Sequence, residues 1–202
     1  GPGQTMTSQN FDSLATTGTG VAWSNNPAAT VSGWSVFKSG AGSTSGRNAT
    51  LTAQTTYNTG AGASNGGNLY SFGTGTDAER ALGTIGSGTP GDWLTVFAIT
   101  NNSGLTINQF PLASDLEQWR NGGGAVGAQF GVQHFLELDY KVVASIAAGD
   151  TDATFQTGYT TPGGNWNGLG PVGLTAAAGA AMNGNVEGLA AGRGGMSPDG
   201  IS

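Results

Sequence analysis

Residues 93–100 read WLTVFAIT. Trp93, Thr95, Phe97 and Ile99 alternate with Leu94, Val96 and Ala98, the two-residue period of a β-strand. Both sets carry large apolar side chains, so the stretch predicts a strand central in its sheet. NNSG follows at 101–104 and predicts a tight turn into a second strand over 105–110, with Gly104 free to take a positive φ. Further strands are predicted on both sides. GVAW (20–23), GWSVFK (33–38), ATLTAQTT (49–56), LYSF (69–72) and ALGTI (81–85) are short, Thr- or aromatic-rich and bounded by turns. In GWSVFK, Trp34 and Val36 share one face, Ser35 and Phe37 the other. Residues 128–143 alternate over a longer run, with Phe130, Val132, His134, Leu136, Leu138 and Tyr140 on one face. Residues 116–120 are predicted as strand because glycines stop them at 122–124. Loops are predicted over 39–47, 58–68 and 162–173.

Sustained helical periodicity and internal repeats are both missing. Many short strands between Gly-, Ser- and Asn-rich loops predict an all-β, jelly-roll-like β-sandwich of mostly antiparallel strands. We divide the chain into a tag remnant or flexible lead (1–9), a β-sandwich domain (10–185) and a Gly-rich tail or unfinished last strand region (186–202).

The 202 residues include 38 glycines, and only 9% are charged, against about 25% in an average soluble domain. The net charge of −6 comes with six scattered basic residues, which argues against nucleic-acid binding and membrane-surface attachment. No apolar run has the length of a membrane-spanning helix. Without cysteine there is no disulfide, thiolate nucleophile or Cys-type zinc site.

Catalytic chemistry finds little purchase. The single histidine, His134, sits at a strand position where a hydrogen-bonded structural residue is the ordinary reading. The one Gly-x-Ser-x-Gly match, GASNG at 62–66, falls inside the predicted 58–68 loop and lacks the strand-to-helix setting of a nucleophile elbow. Glu79, Glu117, Glu137 and Asp139 leave a two-carboxylate glycan hydrolase formally open. The closer explanation for Glu79 with Arg80, and for Glu117 with Arg120, is a pair of structural ion pairs that pin strand register. Asp150 and Asp152, in GDTDAT, form a fragment of a calcium site without the spacing of an EF-hand loop. Trp166, in PGGNWNGLG, and Trp34 are the candidates for stacking on sugar rings. The sequons at Asn48 and Asn101 matter only in a host with glycosylation machinery.

The ordered series NFDSL (10–14), GVAW, LYSFG, ERALG (79–83), ITNNSG (99–104), EQWRNGG (117–123) and NGN (183–185) resembles a family of exported bacterial β-sandwich modules. These belong to surface or secreted proteins, often with a PEP-CTERM-type sorting tail, some beside lamin-tail or extracellular nuclease domains. ERALG followed by EQWRNGG is the specific part, placing Glu79, Arg80, Glu117, Trp119 and Arg120 in the signature. Members usually end in a further strand or two, where this sequence ends in a Gly-rich stretch. A missing strand would leave an open edge, a template for strand addition. The resemblance implies a non-enzymatic structural or adhesive module of a cell surface, extracellular fibre or biofilm matrix. It requires no cofactor, with Ca2+ as an option. Expected partners are other copies of itself, matrix components or glycans. The alternatives are a carbohydrate-binding module or an accessory domain of a secreted hydrolase or nuclease.

Overall fold

The computed structural model describes residues 8–40, 51–91, 93–107, 117, 119–120, 133–140 and 167–175. Among them every regular element is a β-strand: β1 (Val21–Ala22), β2 (Trp34–Lys38), β3 (Thr52–Ala53), β4 (Thr56–Gly60), β5 (Asn68–Phe72), β6 (Ala81–Ile85), β7 (Trp93–Phe97), β8 (Gln133–Tyr140) and β9 (Asn167–Thr175). The described residues are consistent with the all-β class expected from the turn spacing.

The strands form a four-stranded sheet in the order β1-β4-β5-β6, a three-stranded sheet in the order β3-β2-β7, and a β8-β9 ribbon. All pairings are antiparallel except β4 with β5, which run parallel with Tyr57 beside Leu69. Residues 61–67 make that return without a helix.

β2 is the centre of its sheet because both of its faces are apolar. Val36, with Trp34 packed alongside, joins Leu14, Trp23, Val31, Tyr57 and Leu69 in one core. That core draws on both sheets, so it lies between them. Phe37, on the opposite face of β2, packs with Leu51 and Val96. β5 is two-sided in the same way. Leu69 enters the shared core, whereas Tyr70 and Phe72 build a separate outer cluster with Trp119. The Tyr70 and Phe72 rings stack with centroids 5.1 Å apart, and Trp119 stacks on Phe72 at 5.8 Å. Gly83 makes room for them: a Cβ there would meet the Phe72 ring at 2.8 Å.

The chain changes sheets between β3 and β4. Gln54 N–H donates to Val36 O (2.9 Å) in the three-stranded sheet, and Thr55 O accepts from Trp23 N–H (2.9 Å) beside β1. The buried Gln54 amide also donates to Asn68 Oδ1 at the start of β5 (2.8 Å). Asn25 finishes β2 from the other direction: its Oδ1 accepts from Val36 N–H (2.8 Å) and its Nδ2 donates to Val36 O (3.1 Å).

Four expectations need correction. β7 is a strand, but it ends at Phe97 and lies at the edge of its described sheet, with β2 in the centre. The 49–56 run is divided at Gln54, and β4 extends to Gly60, into the stretch expected as loop. Residues 101–107 hold a bend at 103–105 and no strand, and the remainder of the predicted 105–110 strand lies outside the described residues. The predicted 162–173 loop is largely β9, paired with β8. Glycine and proline disguised it. Pro171 lies opposite Glu137, where the register shifts, and an irregularity of this kind tolerates a residue with no N–H to donate. β8 itself falls within the predicted 128–143 strand.

Candidate functional site

Two features of the described structure concentrate polar or apolar chemistry: a buried arginine under β5, and the edge of β7 away from β2.

Arg80 precedes β6, whose pairing with β5 carries the guanidinium under that strand. Its side chain is 1% exposed. Nε donates to Ser71 Oγ (2.8 Å) and Nη2 to Ser71 O. Ser71 Oγ in turn donates to Ala15 O (2.8 Å). The hydroxyl therefore stands between a buried cation and the N-terminal segment. Asp12 ties that segment down a second time, accepting from Arg80 N–H at Oδ1 (3.1 Å). Nη1 is buried without a hydrogen-bond acceptor. Burial pushes the Arg80 pKa below its ordinary value, opposed by attraction to Glu79, Asp77 and Tyr57. For a base the sign is clear: a folded-state pKa below the unfolded one means the charge costs stability at all lower pH. The cost is relieved only as pH rises through the folded value. Arg80 thus adds no pH dependence near neutrality.

Gly73 completes this setting. A Cβ there would lie 2.1 Å from Arg80 Nη1, 2.6 Å from Cζ and 2.8 Å from Glu79 O. Gly73→Ala is expected to cost about 2–3 kcal/mol, the usual range for overpacking, read from urea denaturation midpoints. An unchanged midpoint would show that the guanidinium has room to move.

The expected ion-pair residues fall into distinct roles. Glu79 is exposed and acts on Arg80 as an attractive charge. Glu117 Oε2 accepts from Trp119 Nε1 (2.8 Å). Arg120 Nη1 donates to Gly62 O (3.0 Å) and Ala63 O (3.2 Å). Residues 117, 119 and 120 thus fasten the 61–67 return over the outer aromatic cluster. The sequence reading missed Ser71 and Asp12. Both are common residue types in unremarkable contexts, and no local signal marks them.

Trp34 is half-buried, stacked on Phe97 at 5.0 Å and met edge-on by Phe11 at 4.8 Å. Phe97 thus covers one face of the ring. Trp166, Asp150 and Asp152 lie outside the described residues. Among the described residues no three His, Cys, Asp or Glu side chains gather as a metal site would require.

The β7 edge differs in kind. Ala98 N–H donates to Gly33 O (2.8 Å), and Trp34 lies opposite Phe97. Antiparallel pairs alternate between hydrogen-bonded and non-hydrogen-bonded types. Val96 and Leu94 therefore direct their N–H and C=O groups towards β2. Those of Trp93, Thr95 and Phe97 point away from β2. Beyond β7, Ile99 (47% exposed), Leu105 (72%) and Ile107 (46%) are the large apolar side chains most open to solvent among the described residues. The bend carrying them is held from within. Asn101 Nδ2 donates to Leu105 O (2.7 Å), Ser103 N–H to Asn101 Oδ1 (3.1 Å) and Leu105 N–H to Ser103 Oγ (3.2 Å). Gly104 takes φ 70°. Residues 93–107 contain no charged side chain.

No family model, curated protein or solved structure matches this chain.

Proposed function

We propose that this chain is a non-enzymatic, exported structural or adhesive module of a bacterial surface, extracellular fibre or biofilm matrix, folded as a jelly-roll-like β-sandwich. The sandwich reading is supported by a core that draws side chains from both larger sheets. The observation that carries the function is the β7 edge. Ile99, Leu105 and Ile107 stand in solvent on an internally braced, charge-free segment beside a strand end. Exposed apolar side chains beside a strand edge that is unpaired among the described residues favour protein association over small-molecule chemistry. The exported bacterial setting rests on the resemblance carried by ERALG and EQWRNGG.

Purified protein added to a bacterial biofilm is expected to partition into the matrix pellet while giving no signal on a glycan array. Recovery in the supernatant would overturn the matrix role. Saturable binding to one glycan class would instead select the carbohydrate-binding alternative.

A further inference from the structure

We propose that Asn65 is a self-modification site. Its side-chain amide closes a succinimide ring with the backbone nitrogen of Gly66 and reopens as aspartate or isoaspartate, at a pace set by Ser64.

The chain holds four Asn-Gly pairs, beginning at Asn65, Asn121, Asn167 and Asn183. Two lie within the described residues, in opposite settings. Asn65 and Gly66 are exposed in the return from β4 to β5 and belong to no strand. Asn167 and Gly168 open β9 and pair with Tyr140 and Asp139 of β8. Ring closure requires the backbone to turn until the nitrogen meets the side-chain carbon, and glycine alone leaves that nitrogen unhindered. A loop permits the turn, whereas a paired strand holds the backbone extended.

In the reaction Gly66 N gives up its proton and attacks Asn65 Cγ. The new C–N bond expels the side-chain nitrogen as ammonia. Water then opens the ring: attack at the side-chain carbonyl gives aspartate, and attack at the backbone carbonyl gives isoaspartate. Water is the only other reactant.

The fold places a restraint on this step. Gly66 N–H donates to Ser64 Oγ (3.1 Å), Tyr70 Oη lies 3.1 Å from Ser64 Oγ, and Tyr70 O–H donates to Gly66 O (2.8 Å). The nitrogen that must lose its proton is thus held by a serine hydroxyl, and opening of that bond gates the reaction. The isoaspartyl product adds a methylene to the main chain between these braces, together with a negative charge. The same return supplies the Gly62 and Ala63 carbonyls that hold Arg120. Modification therefore loosens with age the corner that Arg120 fastens.

Incubation of the intact chain at mildly alkaline pH tests this, read by peptide mapping and an isoaspartate-specific methyltransferase. Isoaspartate is expected at residue 65 several-fold faster than at residue 167, and the isoaspartyl fraction should melt below fresh protein. Gly66→Ala is expected to fold as the parent, since its Cβ would meet Ser64 Oγ and Tyr70 Oη at 3.5 Å, an ordinary contact. It should convert several-fold more slowly. Ser64→Ala releases the Gly66 N–H and should convert several-fold faster with an unchanged circular dichroism spectrum. Residue 65 remaining asparagine while a free peptide of residues 61–68 converts overturns the site, as do equal rates at residues 65 and 167. A Gly66→Ala rate equal to the parent's overturns the succinimide route. A folded Ser64→Ala chain no faster than the parent overturns the restraint, and an isoaspartyl fraction that melts with fresh protein overturns the loosening.

Discussion

Ser71→Ala is expected to destabilise the fold by about 3 kcal/mol, well above the roughly 1 kcal/mol of an ordinary hydrogen bond. The hydroxyl accepts from the Arg80 guanidinium and donates to Ala15 O, each at 2.8 Å, and Ser71 is fully buried. Its loss removes an acceptor from a cation that already has one nitrogen without a partner. It also leaves the half-buried Ala15 carbonyl without this donor. Arg80→Met discriminates the causes. Methionine fills much of the same volume and asks for no hydrogen bonds, and replacing buried charge by packed apolar groups is often neutral or stabilising. In the Arg80→Met background, Ser71→Ala is expected to cost only about 1 kcal/mol, the share owed to Ala15. The difference is the coupling energy of a double-mutant cycle, measured by urea denaturation. Equal costs in both backgrounds would show that Arg80 gains nothing from Ser71.

Trp119→Ala is expected to cost about 3–5 kcal/mol, the range for removing a large buried aromatic side chain. Trp119 is almost fully buried, stacks on Phe72 and donates its indole N–H to Glu117. Trp119→Phe keeps a ring over Phe72 and gives up the hydrogen bond, so it should lose about 1–2 kcal/mol. Thermal melts of the two variants check the order. If both variants melt with the parent, residues 117–120 are an appended segment that contributes no stability to the sheet beneath.

Much of the framework is legible in the sequence because alternation is a local property. Trp34 and Val36 against Ser35 and Phe37 identify β2, and the structure buries both faces. Alternation does not reveal which strand lies beside which. β7 has the apolar content of a central strand, and among the described residues its one neighbour is β2, while Ile99 beyond it stands in solvent. Nor does it reveal where a Thr-rich run leaves one sheet for another, which is decided by Gln54 bonding to Val36 and Asn68, distant in sequence. β9 was hidden because Gly and Pro signal turns, and its pairing with β8 outweighs that local preference. At the candidate site, the sequence sets Arg80 beside Glu79 as an ion pair, whereas the structure carries its guanidinium to Ser71. Its principal partner, Ser71, becomes visible only once β5 and β6 are set side by side. The three outward aliphatic residues of 99–107 look like core until their burial is known.

The passage of the chain at Gln54 and Thr55 has a consequence for unfolding. β3 and β4 follow each other directly but belong to different sheets, and the two residues between them bond to both. Neither sheet can peel away while the other stays intact without pulling this joint apart. The two larger sheets should therefore open together as a single cooperative unit. Amide hydrogens of Phe37 in one sheet and Leu69 in the other would then exchange with a common opening free energy. The joint makes two layers into one mechanical object.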